Sequence, residues 1–179
     1  MRDKSPGLLK RLFVLPALVV LVSVLPLVPR KATASSIPTP QLTYYHPLFP
    51  TRICDTRYGN PSNLTGPYAQ CNGHEVTTTP MAVQVTGLAD IPSSASAVVM
   101  NVTVTGSSAP GYVVVYPAGT SEPLVLNVNF TAGETVANLA QVKLSSSGEI
   151  DLASSTPVQV ILDVEGYFSS SGNGRLSHF

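Results

Sequence analysis

The sequence predicts an all-β protein, an antiparallel β-sandwich of about nine short strands with one disulfide and a jelly-roll-like connectivity among its options. Three observations carry this. First, the 179 residues are 44% apolar but only 11% charged, with 16 Pro and 13 Gly; helical bundles and coiled coils draw on the Glu, Lys and Leu that are scarce here. Second, short runs rich in Val and Thr are separated by Gly, Pro and Ser punctuation, and no segment shows a helical repeat of apolar residues. Third, several runs alternate cleanly. Val83 and Val85 share one face, as do Val102 and Val104, then Val158, Val160 and Leu162, with Gln84, Thr103, Gln159 and Ile161 opposite. One buried and one partly wet face is the pattern of two packed antiparallel sheets.

Taken in order, residues 1–34 read as a secretory signal peptide. Arg2, Lys4, Lys10 and Arg11 precede an apolar run (LFVLPALVVLVSVLPLVP), and Ala32-Thr33-Ala34 supplies small residues at the cleavage positions. The competing reading is an uncleaved anchor, in which case the chain has a membrane partner. Pro16, Pro26 and Pro29 interrupt the run and argue against a spanning helix of about 20 residues. Residues 35–50 (SSIPTPQLTYYHPLFP) form a proline-rich extended segment. Its Tyr44, Tyr45, Leu48 and Phe49 favour a strap on the domain itself over a free tether. The β-sandwich domain follows at 51–168. Strands are expected at Thr51–Thr56, His74–Thr78, Met81–Thr86, Ala97–Thr105, Gly111–Tyr116, Leu124–Phe130, Thr135–Leu144, Glu149–Leu152 and Val158–Val164. The runs Ser107–Gly111 and Ser145–Gly148 read as hairpin connections, so neighbouring strands are expected to pair in sequence order. The Ser- and Gly-rich residues 169–179 are expected to be a flexible tail.

Export gives the cysteines a meaning. Cys54 and Cys71 are the only two, and they bracket the turn-rich stretch DTRYGNPSNLTGPYAQ. In an oxidising compartment they pair as a disulfide, whereas two thiols without a His at ligand spacing do not make a zinc site. The expected localisation is secreted or cell-surface.

Charge excludes two partner classes. Beyond residue 34 only Arg52, Arg57, Lys143 and Arg175 stand against nine acids. So few scattered cations do not neutralise a run of phosphates, which excludes nucleic acid, and they give no hold on an anionic membrane surface.

A set of motifs then occurs in a fixed order. Arg52-Ile53-Cys54-Asp55-Thr56-Arg57 opens it, followed by Val85-Thr86-Gly87, Met100-Asn101-Val102-Thr103-Val104-Thr105, Tyr116-Pro117-Ala118-Gly119, Leu126-Asn127-Val128-Asn129-Phe130 and Gly133-Glu134-Thr135, with Asp163-Val164-Glu165-Gly166-Tyr167-Phe168 closing it. On these residues the chain resembles a β-rich extracellular domain of bacterial secreted and cell-surface proteins, recognised by its R-x-x-D-T-R opening, LNVTVT middle and D-V-x-G-Y-F close. The resemblance covers about residues 51–168. It implies an accessory or surface module, appended to wall hydrolases or repeated in surface proteins, and not a catalyst.

Four constellations are candidates for chemistry. Arg52, Asp55 and Arg57 form a charged cluster, read either as a ligand site or as a structural ion-pair cluster beside the disulfide. Asp163 and Glu165, with Asp151 or Glu149, are the candidates for calcium. Calcium takes six to eight oxygens, and no loop carries Asp and Asn at ligand spacing, so no metal or other cofactor is expected. Asp55 with Asp163, or His74 with a serine, is the nearest approach to a hydrolase site. No G-x-S-x-G, H-E-x-x-H or phosphate loop accompanies them. Finally, Asn101, Asn127, Asn129 and Asn138 lie in strand-like segments where Asn is depleted. With Tyr112, Tyr116 and Tyr167 they form a possible ligand face for sugar; the alternative is hydrogen bonding at bulges and edges.

Two functions of different class follow. One is a non-catalytic module binding cell-wall or extracellular polysaccharide, or a protein partner. The other is a structural surface protein that self-associates by strand exchange through residues 35–50.

Overall fold

Alternation decides where each side chain of a strand points, and the run from Ala95 to Thr105 obeys it closely. Val98, Met100, Val102 and Val104 are fully buried while Val99, Asn101 and Thr103 keep partial exposure. The computed structural model describes residues 42–170, which contain eight strands. These are β1 (Tyr44–Asp55), β2 (Met81–Gln84), β3 (Ala95–Thr105), β4 (Gly111–Pro117), β5 (Val128–Phe130), β6 (Val136–Lys143), β7 (Glu149–Ser154) and β8 (Gln159–Ser169), with a 3-10 turn at Gly66–Ala69 between β1 and β2. The signal, the first part of the proline-rich segment and the tail beyond residue 170 lie outside the described residues.

The strands form two four-stranded antiparallel sheets, ordered β1-β8-β3-β6 and β2-β7-β4-β5. The chain changes sheet at every connection except β4 to β5, which makes the sandwich a jelly roll of two Greek keys. The expected fold class therefore holds, but pairing in sequence order does not. Ser107–Gly111 and Ser145–Gly148 carry the chain across to the other sheet, from β3 to β4 and from β6 to β7. A corner between sheets reverses the chain as a hairpin does and uses the same residues. At the second corner Gly148 takes φ +78°, and its missing Cβ leaves room for Thr86.

The strand count falls from nine to eight because one expected strand shrinks to a bridge, and a second contracts without being lost. His74–Thr78 contributes only a bridge between Val76 and Val158. Of Leu124–Phe130 only Val128–Phe130 is strand, since Leu124 and Val125 point to solvent and have no sheet to join. Conversely, β1 starts at Tyr44, so residues 44–50 are the first half of a sandwich strand. Tyr45 lies opposite Phe168, their rings 5.3 Å apart, and His46 stacks on Tyr167 at 4.7 Å. Gly166, opposite Pro47, is where the Tyr45 ring presses on β8, and a Cβ there would collide with it.

Between the sheets lies one core in which Ile53, Val83, Met100, Ile150, Leu152 and Leu162 are fully buried; each such side chain contributes about 1.5–3 kcal/mol relative to exposure. The expected wet face of β8 is drier than alternation implies, since Gln159 and Ile161 are buried too. There Thr56 folds over the strand, donating from Oγ1 to Gln159 Oε1 at 2.7 Å and accepting from the Val160 N–H at 2.7 Å. At the β1 and β2 edges the Gln70 amide bridges the sheets. It donates to the Ile53 and Gln84 carbonyls and accepts from the Gln84 N–H at 2.8 Å.

Candidate functional site

In a regular strand Arg52 and Asp55, three positions apart, would face opposite sides. β1 is not regular there. Arg52 lies opposite Asp163 and Cys54 opposite Leu162, so Ile53 is an extra residue, a bulge. Ile53 and Cys54 both turn inward, and Arg52 and Asp55 meet outside the core. A second slip separates Pro47, opposite Gly166, from Thr51, opposite Val164. Leu48, Phe49 and Pro50 stand there against Glu165 alone, two residues in excess; Phe49 is 92% exposed, and Thr51 Oγ1 donates to the Phe49 carbonyl at 2.8 Å. Prolines suit this edge, where an absent N–H costs no ladder bond.

The Cys54–Cys71 disulfide holds the segment after β1 against the sheet, with both sulfurs buried and Cα atoms 5.3 Å apart. Asn60 organises that segment by donating to the Leu64 carbonyl and accepting from the Leu64 N–H, each at 2.9 Å. Arg57, Pro61, Ser62 and Leu64 thereby become one wall of an open depression of about 610 Å³ on the outer face of β1, β8 and β3. Its other lining residues are Pro50, Arg52, Asn101, Asp163 and Glu165. Pairing aligns Arg52, Asp163, Asn101 and Leu139 in a single row across all four strands of that sheet.

The charges are tightly paired. Arg52 grips Asp163 with two hydrogen bonds, Nε to Oδ1 at 2.7 Å and Nη2 to Oδ2 at 3.0 Å, and its Nη1 donates to Ser62 Oγ at 2.8 Å. Arg57 folds back on Asp55, Nε to Oδ1 at 2.9 Å and Nη2 to Oδ2 at 2.7 Å, with its backbone N–H on Oδ1 at 3.1 Å. Ser62 Oγ donates to Asp55 Oδ2. Burial alone would push the Asp55 carboxyl up, but hydrogen bonds from Arg57 and Ser62 outweigh it and hold the pKa down at about 2. The Asp163 hydrogen bond raises Arg52 above its ordinary value, and Asp55 does the same for Arg57. The Asn101 side-chain amide and the Glu165 carboxylate make no hydrogen bond to the described residues, although both residues line the depression.

The charged cluster and the disulfide expected from sequence thus assemble, with Asp163 and Ser62 as further members. The expected ligand face does not. Asn101 is on one sheet, while Tyr112, Tyr116, Asn127 and Asn129 belong to β4, β5 and their connection, in the other. Tyr116 is 2% exposed, packed with Val114, Ala153 and Tyr112 in a small second cluster, so it presents no surface to a ligand. Burial and the nearby Asp151 raise its phenol pKa. Asn127 is structural, its Oδ1 accepting from the Val115 N–H at 2.7 Å and its carbonyl from Asn138 Nδ2 at 2.7 Å. Asn129 is exposed on β5, and Tyr167 is the stacking partner of His46. The calcium candidates separate as well. Asp163 and Glu165 lie on β8, whereas Glu149 and Asp151 lie on β7 of the other sheet, Asp151 accepting from the Gly119 N–H at 3.0 Å. No group of three or more His, Cys, Asp or Glu side chains among the described residues is arranged to hold a metal ion.

Ser62 carries no signal in the sequence, whereas Glu165 is expected there only as a calcium ligand and Phe49 only as part of the apolar strap. No family model matches this chain, and no curated protein matches it.

Proposed function

We propose that this chain is a secreted, non-catalytic module that binds an extracellular polysaccharide or protein partner through the depression on β1, β8 and β3. The observation that carries this reading is the locking of both aspartates by arginines. General acid-base chemistry needs a carboxyl whose pKa lies near the working pH. Asp55, at about 2, is far below it, and Asp163 is clamped in a two-bond ion pair. Groups fixed in ion pairs on a sheet suit recognition instead. Jelly rolls also host lectins, which is support by fold analogy only.

The extracellular part of the proposal rests on the disulfide, which persists in oxidising surroundings. Among the described residues no helix is long and apolar enough to cross a membrane. The test is retention of the purified protein on wall and exopolysaccharide preparations of its producing host, compared with Asn101→Ala and Asn129→Ala. Retention lost only in Asn101→Ala supports the reading. Retention lost only in Asn129→Ala moves the site to the other sheet.

A second reading, structural self-association, is favoured by Leu124, Val125 and Leu126, which are exposed together in the β4–β5 connection. Strand exchange through residues 35–50 would transfer to a neighbouring copy the pairing that residues 44–47 make with β8. A concentration-dependent sedimentation coefficient abolished by Leu124→Ser would establish it.

A further inference from the structure

We infer that the depression takes an uncharged pyranoside chain, with Phe49 as its stacking platform and Asn101 and Glu165 as its hydroxyl-binding groups. The inference deepens the binding-module reading and rests on it. Three observations converge on this ligand chemistry. The first is charge. The lining holds Arg52 and Arg57 against Asp55, which bonds to the lining's Arg57 and Ser62, and Asp163 and Glu165. Both guanidiniums are already committed to the aspartates, which leaves Glu165 uncompensated. A uronate or phosphate ligand would meet a like charge and no free guanidinium fork, an arrangement that rejects anions.

The second observation is the supply of unspent hydrogen-bonding groups. Asn101 presents a donor and an acceptor, and Glu165 presents acceptors, from neighbouring strands of one flat face. Planar amides and carboxylates match adjacent hydroxyls of a sugar ring, and a site built to pair hydroxyls discriminates strongly against ligands lacking them. Fixed ion pairs behind them keep the face from rearranging, which lowers the cost of binding.

The third observation is apolar surface in the right place. Pro50, Pro61 and Leu64 line the depression, and Phe49, the chain neighbour of Pro50, has 92% of its surface in water. A bulge re-aims side chains, and this one puts a phenyl ring where the fold makes no use of it. The ring's electron-rich face attracts the polarised C–H groups of a pyranose. A depression of about 610 Å³ lies within the size range of ligand sites, roughly 300–1,000 Å³.

The test titrates the protein recovered from its host calorimetrically with cellotetraose, chitotetraose and mannotetraose, and with tetragalacturonate as the anionic probe. Binding is expected for at least one neutral tetrasaccharide, with little change in 0.5 M salt and none for tetragalacturonate. Phe49→Ala and Asn101→Ala should each weaken it about tenfold or more, while Asn129→Ala on the other sheet leaves it within about twofold. Preference for tetragalacturonate, or binding indifferent to both Phe49→Ala and Asn101→Ala, overturns the inference. Failure to bind any tetrasaccharide also overturns it. Wall retention separates this from the broader reading. Wild-type retention that survives in Phe49→Ala and Asn101→Ala leaves a binding module with another site, whereas absence of retention in the wild type removes both.

Discussion

Replacing Asp55 by Asn removes the most heavily coordinated charge among the described residues while keeping the side chain's shape. The wild-type carboxylate is fully buried and accepts from the Arg57 side chain, the Arg57 N–H and Ser62. Folding lowers its pKa from 3.8 to about 2. At about 1.4 kcal/mol per pKa unit, that drop is worth about 2 kcal/mol of stability. The sign follows from the direction. The folded pKa lies below the unfolded one, so the contribution is complete above about pH 4 to 5 and is lost as pH falls towards 2. Asp55→Asn cannot titrate and lacks it at every pH. Urea unfolding at pH 7, 5, 4, 3 and 2 should show the wild type well ahead at pH 7, by about 1 M in midpoint for an m-value of about 2 kcal/mol/M. The gap should shrink by about 2 kcal/mol between pH 5 and pH 2. Other acids titrate in both proteins and cancel in the difference. Parallel acid curves would refute the argument, because they would mean that Asp55 gains nothing from its arginine.

Further outcomes follow from the same contacts. Replacing Cys54 and Cys71 together by Ser should cost about 3 kcal/mol in urea unfolding, and amide exchange at residues 57–65 should quicken because the loop wall loses its tether. Gly166→Ala should push the half-exposed Tyr45 ring off β8 and destabilise by up to about 1 kcal/mol. Adding Tyr45→Ala should then recover part of the loss, a coupling that a double-mutant cycle measures. Leu162→Ala, fully buried between the sheets, should cost about 2–5 kcal/mol in the same assay.

How far the sequence was legible depended on what kind of force wrote each feature. β3 and β8 could be read because burial acts on every second residue, leaving a mark in Val98, Val102, Val160 and Leu162. Strand order could not be read, because Gly and Ser at Ser145–Gly148 encode a reversal without naming the partner strand. The first half of β1 was hidden by Pro47 and Pro50, which mimic a linker unless the strand is known to be an edge. At the site, Arg52, Asp55 and Arg57 announced themselves by proximity in the chain. Asp163 did not, since it lies 111 residues from Arg52 and meets it only through β1–β8 pairing. Tyr112 and Tyr116 misled for a related reason. Alternation places them on the outer face of β4, but it does not say whether that face is open, and Tyr116 is buried there.

The two slips in β1 connect fold and site more closely than any single residue does. A sandwich spends its inner faces on the core, so a ligand site must come from outer faces and loops. Without Ile53 as an extra residue, Asp55 would leave the outer face, and Arg57 and Ser62 would lose the group that orders them. Without the extra residues before Thr51, Phe49 would return to the ladder opposite β8. The first slip turns Ile53 and Cys54 into the core, but the second does nothing for it: burying a phenyl ring is worth about 1.5–3 kcal/mol relative to wetting it, and Phe49 stays wet. Leaving Phe49 out is a cost to stability in the residue next to Pro50, which lines the same depression as the unpaired side chains of Asn101 and Glu165. Two unspent polar side chains in one depression, with an exposed ring on the residue next to its Pro50, are what a bound sugar chain would use, and they are the reason to seek the ligand on this sheet.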